Sequence, residues 1–464
     1  MWIFVEPLDV WLFRDGRPFM AGEQVRATGM FPPLPTTFQG AVRSAALARA
    51  LDERSASFAD FNNGAQTARD LRDRWGDEEA FGHFRLRGPF VARRRAEGLD
   101  VVVAAPADLL IDAQGKFRVA RMSAALGPGE SMRGGLDGQS SSVALISPDA
   151  ADADEERAAG SAAISSGAAR PAGTLRSAPW PEFLGLPDAG DGDGAAGSTE
   201  GAVGGRRADD LQPAARISME QLRAYLLGTA GGTDARSAAA AESQENRTVV
   251  PDLRVGIERD RSKGIASHGR LYMVHFHRPG LGVGLAAEVR LDGDPTIDLG
   301  RSGLMGLGGE ARAARYTVID DNPLAPVEET RFRSQLADGL RQGTRFKLVL
   351  VTPGVFDNGW CPDFIRTSDL KGTLADVGIR LAGAAVQKPV AISGWDARSN
   401  RPKPLRLAVP AGSTYVFEVI DAGRRDWPDE VINAVHGRSA AIDGPGSQAF
   451  GRDIGMALTF VGTA

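Results

Sequence analysis

The stretch from Val390 to Val461 narrows the choice of fold more than any other. A hydrophobic strand ends at the turn Gly394-Trp395-Asp396, and a basic tip follows from Arg398 to Pro404. After a second strand, Thr414 to Ile420, a glycine loop with Gly444, Gly446 and Gly451 feeds a last strand. Pro402 and Pro404 fix φ and remove backbone donors, so the tip is expected to be extended and exposed. The glycines admit positive φ and let another backbone approach closely. Beside Arg401, Lys403, Arg406 and Arg452, these features suit a phosphate-rich ligand. A surface hairpin with one tight turn is the plainer alternative, and these residues alone do not separate the two.

The first half is built on the same scheme. Trp2 to Phe13 reads as a strand, and Arg14-Asp15-Gly16-Arg17 supplies an Asp-Gly turn. Phe31-Pro-Pro-Leu-Pro35 is a rigid approach to a helix. Thr36 with Gln39 predicts a capping box, and Phe38, Val42, Ala45 and Leu47 predict an apolar stripe running to about Ala50. Arg43 and Arg49 fall on the opposite face. The start of this helix, Thr36 to Gly40, is a candidate anion site; an ordinary β–α unit is the commoner case. Phe81 to Val91 alternates as a strand with Arg85 and Arg87 on one face, and Arg93-Arg94-Arg95 reads as a turn, solvated or ligand-binding. Two strands follow Arg247. His275 and His277 share a face there, but no third metal ligand is near. Glycines dominate from Gly303 to Gly309, before Arg312 and a strand near Arg315 to Ile319. A second unit opens on the buried-strand run Arg345 to Val351. Each half thus starts on a strong strand and closes with a glycine loop before its last one. This predicts two similar α+β domains, 1–335 and 340–464.

A chain of 464 residues accommodates two or three domains at roughly 150 residues each. Residues 146–245 are low in complexity and acidic, with net charge −8 against −5 for the whole chain, so the remainder carries +3. That segment reads as an insertion that buries little apolar surface, with a short helix near Ile217 to Leu227. One cysteine, Cys361, excludes a disulfide framework and a cysteine-rich zinc site. No apolar run reaches membrane-spanning length, and the N-terminus does not read as a signal peptide, so a cytoplasmic location is expected. No phosphate-loop or nucleophile-elbow motif occurs, and the match at Gly444-Pro-Gly446-Ser-Gln-Ala449 lacks its strand and helix. Nothing reads as a catalytic constellation or calls for a cofactor. A binding module is expected rather than an enzyme.

Three blocks taken in order carry a family resemblance. They are Pro7 to Phe19 with Phe31 to Arg43; Val255 to Asp260 leading to Gly269-Arg-Leu-Tyr272; and Gly394-Trp-Asp with Arg401 to Pro404, Val409 to Ser413 and the Gly446-to-Gly451 loop. The set resembles the RAMP subunit of the type III-B CRISPR effector (Cmr) complex, which holds the repeat-derived 5′ tag of the guide RNA. The resemblance implies two tandem ferredoxin-like (RRM-like) domains. It also implies tag binding through shape, phosphate and splayed-base contacts. Docking on the large polymerase-like subunit and on the backbone RAMP subunit is implied as well. Carried onto this chain, the RNA-binding residues are Arg14, Arg17, Thr36, Arg43, Gly308, Gly309 and Arg312. In the second half they are Trp395, Arg398, Arg401, Lys403, Gly446, Gln448, Phe450, Gly451 and Arg452. Two alternatives stand beside this reading, a metal-independent RAMP endoribonuclease that processes guide RNA and a purely structural subunit. Guide-processing relatives use a histidine base, and no histidine here precedes His83, which disfavours the first.

Overall fold

A computed structural model describes residues 1–16, 26–27, 29–69, 71, 84–96, 98–111, 115–119, 144–146, 212–213, 215–233, 249–259, 262–263, 265–291, 298–396, 401–420, 423–441 and 451–464. The principal elements of the first half are β1 (Trp2–Pro7), α1 (Pro35–Asp52), β2 (Phe84–Arg94), β3 (Leu99–Ala104), β4 (Arg216–Ser218), α2 (Met219–Leu226), β5 (Val249–Arg259), β6 (Ala266–Pro279), β7 (Val283–Leu291), β8 (Ser302–Gly306) and β9 (Ala313–Ile319). The chain continues through α3 (Ala325–Glu328), α4 (Thr330–Leu340), β10 (Arg345–Leu350), β11 (Lys371–Leu374), β12 (Val377–Val386), β13 (Val390–Ile392), β14 (Arg406–Ala408), β15 (Thr414–Val419), α5 (Trp427–Val435) and β16 (Leu458–Thr463). The fold is mixed α/β, with strands predominating.

Two antiparallel sheets form the frame. The first runs β8-β9-β1-β7-β2-β3-β4, and the second runs β11-β12-β15-β10-β16 with Arg438–Ser439 at its end. The central quartets, β9-β1-β7-β2 and β16-β10-β15-β12, have the same pattern. Counted along the chain, each reads fourth, first, third, second.

Alternation along β1 explains how the first sheet is buried on both faces. Ile3 and Val5 join the core under α1, whereas Trp2 and Phe4 join the core shared with the second half. That shared core is continuous. It runs from Phe90 through Leu222 and Leu226 of α2 and Phe332 and Leu336 of α4 to Phe346, Phe417 and Phe460 of the second sheet.

Three expectations are corrected here. Thr36 does not cap α1. Leu34 is the N-cap, no side chain caps the helix, and Pro35 occupies its first turn, where its fixed φ suits a helix start. Gln39 is instead buried, with its Nε2 unpartnered. The segment read as an insertion contains core. β4 extends the first sheet, and Met219, Leu222, Tyr225 and Leu226 of α2 are buried, behind a Ser218–Gln221 capping box. Finally, Arg93 and Arg94 belong to β2 rather than to a turn. Arg94 lies 4.7 Å from the centre of the Phe4 ring and 3.4 Å from Glu6, and Arg95 bonds Asp100 at 3.0 Å.

Two charged junctions tie the halves together. Buried Asp108 accepts from Lys347 Nζ at 2.9 Å and from Tyr225 Oη at 2.6 Å, and the ammonium stands 5.0 Å from the Tyr225 ring centre. Burial, and then the Asp108 carboxylate, raise the Tyr225 pKa well above its ordinary value, so the hydroxyl keeps its proton and donates. Arg87 pairs with Glu288 and Glu328, each at 2.6 Å, and donates to Gly437 O at 3.1 Å. At the outer rim Gly455, at φ +87°, lies so close to β2 that a Cβ would come within 2.6 Å of Gly88 O. Among the described residues no helix is long and apolar enough to cross a membrane.

Candidate nucleic-acid interface

The site is built on a small apolar cluster between the halves. Leu34 at the entry to α1, Val355, Ile392 of β13, Ala408 of β14, and Ile454 and Met456 bury one another, with Met30 and Val390 packed alongside. Three segments that are far apart in sequence therefore meet here: the start of α1, the β13–β14 hairpin and the turn after Gly451. A fourth is pinned to them, because Gly16 N–H donates to Ala391 O at 3.0 Å, and a Cβ on Gly16 would lie 2.6 Å from the Ile392 carbonyl carbon. Across the same seam Arg85 of β2 forms an ion pair with Asp453, to which Arg452 also lies close at 3.8 Å.

This arrangement gathers many of the residues expected from sequence. Arg14 is exposed and bridges Gly29 beside the pinned turn. Thr36 is half-buried in the first turn of α1, and Arg43 is half-buried two turns on. Gly451, at φ +71°, begins the turn that buries Ile454 and Met456. Trp395 pairs with Pro402 across a short hairpin and is 59% exposed. Arg401 and Lys403 are exposed on the same hairpin and carry no ion pair among the described residues. Lys403 N–H and the Ser393 hydroxyl tie the two strands together, donating to Gly394 O at 2.8 Å and to Lys403 O at 2.7 Å. Cations on a hairpin tied twice at its base, beside an exposed indole, can hold phosphate and stack an unpaired base.

The first glycine loop is different. Gly309 N–H donates to Leu12 O at 2.8 Å, and Gly308, at φ +103°, leaves no room for a Cβ against that carbonyl. Arg312 pairs with Asp9 at 3.0 Å and stands 4.9 Å from the Phe276 ring centre, so its charge is taken up within the fold. Arg17, Arg398, Gly446, Gln448 and Phe450 lie outside the described residues, as does His83.

Sequence reasoning missed Leu34 and Gly16 as the residues that dock the site, and Arg85 as its ion-pair clamp. It also missed Arg216, which lies 5.8 Å from the Phe31 ring centre at the edge of the first sheet. The capping box at Ser218 was the signal available for that last one. Of the same-face histidines, His277 is buried against Phe31 and Phe13 at ring distances of 5.3 and 6.4 Å, and burial lowers its pKa to about 4. No group of metal ligands occurs among the described residues.

The family comparison matches this chain to the model described as CRISPR-associated protein (Cas_Cmr3) over residues 3–152 and 204–448. No curated protein matches. Two solved structures are similar at 13% identity and a TM-score of 0.40. One is a cryo-EM structure of the type III-B Cmr-beta bound to cognate target RNA, where the match covers 90% of this chain and 86% of that one. The other is the same assembly bound to cognate target RNA and AMPPnP in state 1, with 94% and 90% covered. On the family match, which spans most of its length, the chain belongs to the Cmr3 family of CRISPR-associated proteins.

Proposed function

We propose that this subunit binds RNA without cutting it, holding the repeat-derived 5′ tag of the guide RNA along the seam described above. It works in the cytoplasm, bridging the large polymerase-like subunit to the backbone RAMP subunit. The observation that carries this reading is the convergence of Gly16, the start of α1, the β13–β14 hairpin that carries Trp395 to Lys403, and the Gly451 turn on one apolar cluster. Four segments from opposite ends of the chain are positioned together there, and Arg401 and Lys403 are left without partners among the described residues. The strand order of the two quartets, fourth-first-third-second, supports a ferredoxin-like frame in each half. The first half keeps a helix after its first strand (α1), and the second keeps one after its third (α5).

The buried histidines do not favour an endoribonuclease. His436 accepts from Val461 N–H at Nδ1 (3.1 Å), so Nε2 carries the proton and donates to Val327 O at 2.6 Å. Its ring is sealed in the core, where burial lowers its pKa to about 4. The test is binding of tag RNA by the assembled complex carrying Arg401→Ala and Lys403→Ala. Weaker binding with a flatter salt dependence is expected; unchanged binding and slope would remove the hairpin from the site.

A further inference from the structure

The hairpin that carries Trp395 to Lys403 belongs to the second half, yet two of the contacts that seat it come from the first. On its β13 side Gly16 N–H donates to Ala391 O, and a Cβ on Gly16 would collide with the Ile392 carbonyl carbon. On its β14 side the chain passes through Val409, which exchanges backbone hydrogen bonds with Gly354 at 2.7 and 2.9 Å, and then turns at 410–413. Within that turn Gly412, at φ +92°, meets the loop that follows β3. Ala107 N–H donates to Gly412 O at 2.8 Å, and a Cβ on Gly412 would lie 2.5 Å from Ala105 O. The left-handed backbone and the close carbonyl both call for glycine here.

The loop that receives Gly412 is itself fixed. Ala105 and Ala107 are buried, and the Asp108 carboxylate that follows is held by Lys347 of β10 and Tyr225 of α2. Gly412 N–H donates in turn to Leu350 O at 2.6 Å, which ties the root of the hairpin to β10. The hairpin closes on its own pairs, Val390 with Ala408 and Ile392 with Arg406. Those pairs hold its strands together but do not set its direction relative to α1 and the Gly451 turn. The apolar cluster of Leu34, Ile392 and Met456 is a non-directional contact, whereas the hydrogen bonds at Gly16 and Gly412 are directional.

We propose that Gly412 is a positioning residue for RNA. Seated on the loop 105–108, it sets where the hairpin holds Arg401 and Lys403, so the first half aims cations that the second half carries. This rests on the RNA-binding reading of the hairpin.

The experiment measures tag RNA binding by the assembled complex across a salt series. It compares Gly412→Ala, Arg401→Ala with Lys403→Ala, and all three substitutions together. Two single-strand phosphate contacts at about 0.7 each lower the log–log slope by about 1.4, which near 0.15 M salt is roughly tenfold in affinity. Gly412→Ala is expected to show that loss and that flatter slope, and the triple variant to bind no worse than Arg401→Ala with Lys403→Ala. A structural role alone would lower the melting temperature, leave the slope as in the wild type and add to the hairpin variant, and that result would overturn the proposal. If Gly412→Ala does not assemble, hydrogen exchange in the wild-type complex decides. Binding and seating are reciprocally linked, so tag RNA is expected to slow exchange of the Ala107 amide about tenfold, and Arg401→Ala with Lys403→Ala to abolish the slowing. Exchange at Ala107 that RNA leaves unchanged would overturn the proposal. Wild-type binding and slope in the Arg401→Ala, Lys403→Ala complex would instead sink the RNA-binding reading of the hairpin, and this inference with it.

Discussion

At the turn Gly308–Arg312 the guanidinium is held inside the fold, by Asp9 on one side and the Phe276 ring on the other. At the hairpin Trp395–Lys403 the indole is mostly exposed, and Arg401 and Lys403 stand in solvent with no ion pair among the described residues. Both regions look alike in sequence, as arginines beside glycines or prolines after a strand. The difference is that a carboxylate and an aromatic ring from the first half reach Arg312, whereas nothing described reaches the tips of Arg401 and Lys403. A basic glycine loop is therefore evidence for a ligand only once its charges are shown to be unclaimed.

The largest effect is expected where the two regions depend on a common interior. Lys347→Ala leaves Asp108 buried without its cation and should cost about 3–5 kcal/mol, whereas Lys347→Met with Asp108→Asn, which removes both charges, should cost much less. Denaturant unfolding of the full chain checks this, and an equal cost for the single and the double variant would mean that the unpaired charge is not what matters. The hairpin comes next. Arg401→Ala with Lys403→Ala should leave the melting temperature unchanged and lower the log–log salt slope of RNA binding by about 1.4, two single-strand phosphate contacts at about 0.7 each. Arg312→Ala should do the reverse. It should cost about 1 kcal/mol of stability through the lost Phe276 and Asp9 contacts and leave the salt slope alone. A flattened slope for Arg312→Ala would erase the contrast between the two loops.

The smallest effect is that of pH. His277 and His436 have folded pKa values lowered by burial to about 4, below the ordinary 6.5. The unfolded chain takes up these protons first, so stability is fully present above about pH 6.5 and lost as pH falls towards 4. Asp363 opposes this, because burial raises its pKa to about 6 and its contribution to stability grows as pH falls from 6 to 4. The melting temperature should fall between about pH 7 and pH 4.5, and fall more steeply in Asp363→Asn, where that offset is gone. A melting temperature that rises on acidification would contradict the assignment of the two histidines.

Much of the frame was legible in the sequence because strands announce themselves locally. The runs at Trp2, Phe84, Arg345, Thr414 and Leu458 are β-branched or aromatic and lie where strands were expected. What was not legible depended on averages or on competition. The short helix expected near Ile217 to Leu227 is there as α2, but the acidic composition of 146–245 hid that Met219, Leu222, Tyr225 and Leu226 are core. Thr36 lost the capping position because Pro35 had already fixed the helix start. The seam itself was invisible, because Leu34, Ile392 and Met456 are ordinary apolar residues until the fold brings them together.

The most direct measurement is ultraviolet crosslinking of tag RNA to this subunit within the assembled complex. The account predicts crosslinks to peptides containing Trp395, Arg401 to Lys403, or Gly451 and Arg452, and none to Gly308 to Arg312. Tag crosslinks that fall only on other subunits, or on the Gly308 turn instead of the hairpin, would contradict it.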